Sequence, residues 1–299
     1  MAQESIGWEL YRSFLGVLRE GSLSGAARAL GVAQPTVGRH VSALERALGL
    51  TLFTRSQTGL IPTEAALSLQ GHAQAMESSA AALERAAEGQ GNRASGRKAD
   101  LSGTVRVSAS VVVGVELLPP IIAGLQGEHP RLKIELVATN ELQDLLRREA
   151  DIAVRMTQPK QDLLIARRVR SVPLGMHAHR DYLARRGTPR RLADLAQHAL
   201  IGFDKETPFM RAASADWPQW RRNAFSTRTD NELAQLALLR AGAGIAVCQV
   251  QLARRDPSLV RVLAKQFELS LDTWITMHED LRNNAACKLV FEALVKAMG

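Results

Sequence analysis

Residues 34–48 constrain this chain more than any other segment. Val37, Val41, Leu44 and Leu48 recur at spacings of 4, 3 and 4, which places them on one stripe of an α-helix. Pro35 suits the first turn of that helix, where its missing N–H costs nothing. The stripe must face inward, so Gln34, Thr36, Arg39, His40 and Arg46 are left on the opposite face. Two shorter helices are expected before it. Residues 8–19 carry Leu10, Phe14, Leu15, Val17 and Leu18 on a broad apolar face and stop at Gly21. The second helix starts at Ser22 or Ser24, either of which can cap it, and stops at Gly31. Its small residues Gly25, Ala26, Ala27 and Ala29 let a neighbouring helix cross closely. Close crossing and a polar-fronted third helix are what a helix-turn-helix needs to enter a major groove. An ordinary three-helix packing unit would share the inward stripe, so the residues that follow decide between the two.

Residues 50–62 (LTLFTRSQTGLIP) read as a short strand, a turn at 56–59 and a return strand, a wing beside the helices with Arg55 near its tip. A long alanine-rich helix follows from Thr63, a plausible N-cap residue, to about residue 90. Within it Leu69, Ala73, Met76, Ala80, Leu83 and Ala87 fall at spacings of 4, 3, 4, 3 and 4, a heptad seam that suits a second copy of the helix. From Gly89 the chain turns glycine-rich, small and charged, and residues 91–102 are expected to be a flexible linker. Beyond it strands and helices alternate: strand 104–109, helix 115–126, strand 133–138, helix 141–149 and strand 151–156. A second set starts near Val172 and includes strand 200–203, helix 229–241 and strand 245–248. Such alternation predicts a parallel α/β sheet, so the fold class is multidomain α/β.

Charge gives only a weak hint. The formal net charge is +8, but residues 1–62 hold 6 basic and 4 acidic side chains, whereas residues 101–299 hold 28 and 21. A nucleic-acid partner must therefore be argued from the pattern of the first sixty residues, not from bulk charge. No secretory signal or membrane-spanning apolar run is recognisable, so the expected location is the cytoplasm, without membrane attachment. Cys248 and Cys287 stand far apart and outside any metal spacing, and are expected to be buried thiols rather than a redox pair.

The run from Ser22 to Ala66 closely resembles the DNA-binding segment of LysR-type transcriptional regulators. The resemblance rests on Ala26-Ala27, Gln34-Pro35, Leu44-Glu45, Leu48-Gly49, Leu52-Phe53-Thr54-Arg55 and Thr63-Glu64-Ala65. Further on, HPRLKIEL, READIAVR and RAGAGIAVC are similar to features of that family's ligand-binding domain. Gly38 and Ala66 depart from the pattern, standing where serine and glycine are common. The resemblance implies a winged helix-turn-helix at 1–62, a linker helix that dimerises at 63–90, the flexible linker at 91–102 and an effector-binding domain at 103–299. That domain would resemble type 2 periplasmic binding proteins, with lobe 1 at about 103–170 and 270–299, lobe 2 at about 171–269, and two strands crossing between them. The implied partners are double-stranded promoter DNA, a small-molecule effector, a second copy through the linker helix, a homotetramer of such dimers, and RNA polymerase if the protein activates.

The residues implied to meet DNA are Ser24, Gln34, Pro35, Thr36, Arg39, His40 and Arg55. Those implied to face the effector are Ser108, Ser110, Thr139 and Asn140 from lobe 1, with Gly202, Phe203, Asp204, Thr229 and Asn231 from lobe 2. Helix N-termini at such positions attract anions, and an arginine-rich domain favours the same ligand class, so an anionic metabolite is expected. Thr229 and Glu232 have the spacing of a capping box. No cofactor or metal is expected. Gly242-Ala243-Gly244 follows a helix and precedes a strand, the reverse of a phosphate loop, and His177, His179 and His278 lack a third ligand at convincing spacing. GxSxG, HExxH and defensible carboxylate pairs are absent, so the chain is read as no enzyme. The rival reading is a solute-binding or enzymatic α/β domain that uses the N-terminal helices only to dimerise. Such a module would have no need of Gln34, Thr36, Arg39 and His40 clustered at one end of a helix.

Overall fold

In the computed structural model, the described residues are 6–56, 59–90, 101–141, 145, 149–159, 164–206, 210–211 and 216–299. The chain divides into two compact units, one of Met1–Ala87 with Leu146–Glu149 and one of Glu88–Leu145 with Ala150–Gly299.

The first unit contains helices α1 (Trp8–Glu20), α2 (Leu23–Leu30) and α3 (Gln34–Leu48), the hairpin β1 (Phe53–Ser56) and β2 (Gly59–Pro62), and the long helix α4 (Glu64–Gln90). Ser22 rather than Ser24 caps α2, its hydroxyl accepting from the Gly25 N–H at 3.1 Å. The predicted stripe of α3 is inward, with Val37, Val41 and Leu44 buried against Phe14, Leu15, Val17 and Ala26. Close approach of α1 and α2 depends on Gly16, where an added Cβ would lie 2.9 Å from Leu30 Cδ1. The antiparallel hairpin is the expected wing, although its tip, residues 57–58, lies outside the described residues. Gly59 fixes its position. With φ +135 and a would-be Cβ only 2.6 Å from Gly21 O, this residue tolerates no side chain, and the next N–H, of Leu60, donates to that oxygen at 2.8 Å.

Thr63 caps α4 as expected, accepting from the Ala66 N–H at 3.2 Å. The seam read from the sequence divides along this helix. Leu69 and Ala73 pack into the core of their own unit, whereas Met76 and Leu83 are 40% and 73% exposed.

The second unit is built on a seven-stranded sheet in the order β10-β6-β11-β5-β3-β4, with β9 also pairing β6. Strands β3 (Gly103–Ala109), β4 (Leu132–Ala138) and β5 (Ile152–Arg155) are parallel, as predicted. The remaining pairings are antiparallel, so the expected parallel sheet is instead a mixed one. The reason is β6 (Leu164–His179), a 16-residue strand that returns antiparallel as β11 (Leu269–His278). These are the two crossing strands. On one side of them a core includes Val107, Leu118, Ile152, Ile275 and Phe291; on the other lies a separate core with Met176, Leu195, Trp220, Ile245 and Phe267.

Lobe 1 adds α5 (Leu118–Glu128), entered through a π-turn at Val113–Leu117, and finishes with the C-terminal helix Ala285–Met298. Most of the helix expected at 141–149 and residues 91–100 of the expected linker lie outside the described residues. Lobe 2 holds α6 (Arg180–Arg186), the short pair β7 (Ile201–Gly202) and β8 (Thr227–Arg228), α7 (Glu232–Arg240), β9 (Ile245–Gln249), α8 (Val250–Ala253) and β10 (Leu259–Val262).

His177 lies inside lobe 2, 2% exposed, with Nδ1 donating to Gly175 O at 2.8 Å and Cys248 Sγ 3.4 Å away. Burial lowers the imidazole from 6.5 to about 4, and burial pushes the Cys248 thiol up to about 12, which removes it as a nucleophile near neutral pH. Because the folded imidazole takes a proton only near pH 4 and the unfolded one near 6.5, the unfolded state binds more protons between those values. Stability contributed by neutral His177 is therefore present above 6.5 and lost as pH falls toward 4, by about 3 kcal/mol at 1.36 kcal/mol per unit. His177→Gln is expected to flatten the fall of Tm between those two pH values, measured by circular dichroism. An unchanged slope would show that acid unfolding has another source.

Candidate functional site

Two regions gather the polar residues singled out by sequence. The first is the outer face of α3. Gln34, Pro35 and Arg39 are exposed, Thr36 and His40 are half-buried, and Ser24 is exposed on α2. Arg39 Nη2 donates to Thr36 Oγ1 at 3.3 Å, one helical turn back, so the two act as a local pair. His40 is held from beneath: its Nδ1 lies 2.8 Å from the hydroxyl of buried Ser13 on α1. Only the outer edge of that ring is left for another partner. Gly38, Arg39, His40, Ser42, Ala43 and Arg46 line an open hollow of about 600 Å³. Ser42 is the residue here that the helical pattern did not single out. A Cβ at Gly38 would meet only Leu23 Cδ1, at 3.6 Å, so packing does not demand a glycine there.

Arg55 is exposed on β1, opposite Leu60. Its strand is positioned by Glu45 of α3, whose Oε1 accepts the N–H of Leu52 at 2.7 Å and of Phe53 at 3.3 Å. Phe53 then packs on Phe14 with ring centroids 5.7 Å apart. The carboxylate, bonded to two backbone donors, thus ties the wing to α3, and the aromatic pair ties it to α1.

The second region is the cleft between the lobes of the second unit, where β3 and β4 end. Ser108 is fully buried, its Oγ accepting from Arg155 Nη2 at 2.6 Å. Arg155 also donates to Glu141 O at 3.1 Å and Val154 O at 3.1 Å, and burial lowers its pKa. Ser108 is therefore occupied below the surface. Ser110, the next serine along, is half-buried. Thr139 Oγ1 accepts the Glu141 N–H at 3.1 Å. Asn140 does two jobs: Oδ1 accepts the Val111 N–H at 3.1 Å, and Nδ2 donates to Glu232 Oε2 at 2.6 Å, across to lobe 2.

On lobe 2, Gly202 is buried with no room for a side chain, since a Cβ would lie 2.4 Å from the Phe225 ring; its carbonyl accepts the Thr229 N–H at 2.9 Å. Phe203 packs on the lobe 2 core. Asp204 faces Arg222 at 2.8 Å and Arg228 at 3.8 Å. The expected capping box of Thr229 and Glu232 is replaced by another arrangement. Asn231 caps α7 through the Ala234 N–H at 3.0 Å, and Thr229 Oγ1 accepts the Asn231 N–H at 3.2 Å. Glu232 is then the first helical residue, its carboxylate turned to Asn140 instead of back on its own turn. Sequence reasoning missed Gln235, whose buried amide donates to Thr229 O at 2.8 Å. Among the described residues, no three of His, Cys, Asp and Glu are placed to hold a metal ion, and no helix is long and apolar enough to cross a membrane.

A winged helix-turn-helix with a polar recognition face, followed by a two-lobed α/β domain with a cleft, defines a DNA-binding regulator that senses a small molecule. The family models agree. Residues 8–67 match the bacterial regulatory helix-turn-helix of the lysR family and residues 98–299 match the LysR substrate binding domain, so the chain belongs to the LysR family of transcriptional regulators. It is similar to the regulator CrgA of Neisseria meningitidis serogroup C (strain 8013), 26% identical over 96% of this chain and 95% of that one. The CrgA structure superposes with a TM-score of 0.58 at 25% identity, covering 97% of this chain and 98% of that chain. An HTH-type transcriptional regulator of Xanthomonas campestris pv. campestris (strain 8004) is 30% identical over 64% of this chain, a match spanning 54% of that relative's length. CbnR complexed with its target DNA shares the fold, with a TM-score of 0.67 at 18% identity over 98% of this chain and all of that one. The family and these relatives are transcriptional regulators, not enzymes.

Replacing Glu45 with alanine leaves the Leu52 and Phe53 N–H groups without their acceptor, and both residues are buried. The expected cost is about 1–3 kcal/mol. A Tm of the Glu45→Ala protein equal to that of the parent in differential scanning calorimetry would contradict this role.

Proposed function

We propose that Gln34, Pro35, Thr36, Arg39 and His40 read operator DNA from α3, that Ser24 and Arg55 contact the flanking backbone, and that a small anionic metabolite in the interlobe cleft modulates promoter occupancy. The observation that carries the DNA reading is the division of α3: Val37, Val41 and Leu44 are buried while Gln34, Pro35 and Arg39 stay exposed at its N-terminal half. Glutamine and arginine are the side chains that pair bidentately with adenine and guanine edges. The cleft reading is supported by the polar side chains Ser110, Thr139 and Asn140 just past the ends of the parallel strands β3 and β4, and by the bond from Asn140 to Glu232 on the other lobe, where Phe203, Asp204, Thr229 and Asn231 would complete the site. Gly202 and Ser108 take part as supports, through backbone packing and through Arg155.

The assembly proposed is a homodimer through α4, paired into a homotetramer, working in the cytoplasm and contacting RNA polymerase where it activates. Met76 and Leu83, seven residues apart and exposed, are the seam positions free to meet a second copy. Leu69 and Ala73 already serve their own core. Met76→Glu and Leu83→Glu are therefore expected to shift sedimentation toward monomer at low micromolar concentration without lowering Tm, whereas Leu69→Glu destabilises the N-terminal unit itself. Two dimeric seam variants would refute the assignment.

The DNA contacts are tested by fluorescence anisotropy at fixed salt. Gln34→Ala and Arg39→Ala should each weaken operator binding by about 1–3 kcal/mol, and Arg55→Ala should weaken it across sequences and reduce the salt slope by about 1. Unchanged affinity in the first two variants would remove α3 as the reading element. For the cleft, Ser110→Leu should abolish a metabolite-induced change in DNase footprint and leave operator binding intact; a response at the parent's ligand concentration would refute it.

A further inference from the structure

Helix α7 is fastened to lobe 1 at both of its ends. At its C-terminal end Arg240 meets the Glu116 carboxylate at 2.9 and 3.3 Å. The Glu116 carbonyl also accepts from Arg255 Nη1 at 2.8 Å, and Val112 of lobe 1 packs against Leu236 and Leu239's cluster in lobe 2. This end combines an ion pair, a second guanidinium and apolar contact. Among the described residues the N-terminal end is held by less, a hydrogen bond from Asn140 Nδ2 to Glu232 Oε2 at 2.6 Å.

The acceptor in that bond is chemically telling. Glu232 places a carboxylate at the first helical position of α7, whose N-terminus is capped by Asn231, and against an amide donor of the opposite lobe. Asn140 is itself oriented by Val111, whose N–H binds Oδ1, so its Nδ2 is aimed before any partner arrives. An amide donor of lobe 1 is thus already engaged by a carboxylate of lobe 2.

We infer that Glu232 is an internal ligand of the cleft, and that the effector acts by replacing it: a carboxylate of the small molecule takes Asn140 Nδ2, and the N-terminal end of α7 is released. This rests on the reading of the cleft as an effector site and specifies the group that the effector must carry. The Glu116 end remains fastened and serves as the pivot, so exchange at Asn140 swings α7 rather than freeing it. A carboxylate bound there competes with Glu232 at high effective concentration, which lowers its apparent affinity by the fraction of molecules in which Asn140 is vacant.

The test uses the full-length protein and acetate as the probe, titrated against chloride at equal ionic strength, with binding followed by the thermal shift. Glu232→Ala removes the internal competitor and is expected to bind acetate about ten-fold or more tighter than the parent. Adding Asn140→Ala to it should return the affinity to the parent's level or below. In the absence of acetate, amide hydrogen exchange across residues 112–117 should rise about ten-fold in both Glu232→Ala and Asn140→Ala, since each cuts the Asn140–Glu232 bond; Val111 is left out because Asn140→Ala also removes its own acceptor. Equal acetate affinity in parent and Glu232→Ala, or exchange in that segment unchanged in both single variants, would overturn the inference. No DNA enters this titration, so it can fail while the regulatory reading stands, and a failure of metabolites to alter DNA occupancy leaves the acetate result intact.

Discussion

The second unit depends on one antiparallel pair, β6 with β11. Both strands begin in one lobe and end in the other, so every core contact of lobe 1 and lobe 2 is ultimately attached to this ladder. Its register runs from Leu269 opposite Leu174 to His278 opposite Leu164, with a shift between Thr273 and Trp274. Irregularities of this kind bend a strand and loosen local pairing. On the lobe 1 side the ladder is reinforced by β5 and by Thr276 Oγ1, which donates to Ala153 O at 3.3 Å. On the lobe 2 side β9 and β10 do the same for β6. The ladder is thus reinforced by neighbouring strands on both sides of the register shift, while contacts such as Asn140–Glu232 link the lobes outside it.

Most of the first unit was legible in the sequence because its information is local. A stripe at 37, 41 and 44 defines a helix and its buried face without reference to anything distant, and Thr63 announces α4 by its position before an apolar run. What periodicity could not convey was the fate of positions whose partners are remote. Ser108 lies at the end of its strand as expected, but Arg155, 47 residues further on, takes its hydroxyl. Leu69 and Ala73 have heptad spacing, yet burial on α1 to α3 uses them before a second chain can. Strand direction failed for a similar reason. Alternation of strands and helices signals parallel pairing only while each helix returns the chain to the same edge, and β6 breaks that rule by running on into the other lobe.

The capping of α7 shows how a local rule can be overridden by a contact from another lobe. Thr229 and Glu232 satisfy the spacing of a capping box, and an isolated peptide would have reason to form one. In the protein Asn231, nearer the helix, accepts the Ala234 N–H, while Thr229 is consumed by the turn before it. Asparagine and threonine are comparable N-caps, so the choice costs little, and it releases Glu232 for a charge-assisted bond that crosses the cleft. A residue whose local purpose is taken over by a neighbour becomes available for a long-range one.

The same logic applies at the α3 surface, where specificity requires side chains held in place before DNA arrives. His40 is anchored to the hydroxyl of Ser13, a buried group on a different helix, and Arg39 is steadied by Thr36. Each restraint removes rotamer freedom that would otherwise be lost on binding, at about 0.5–1.5 kcal/mol for an immobilised side chain. Gln34 has no such restraint among the contacts described and sits at the exposed start of the helix. The face therefore combines a pre-oriented centre with an adaptable leading edge. In the proposed reading lobe 2 regulates through displacement of a single carboxylate, whereas the outer face of α3 is set by the core of its own unit. On that reading the cleft can change its ligand without repacking α3, whose buried residues Val37, Val41 and Leu44 belong to the core of the first unit.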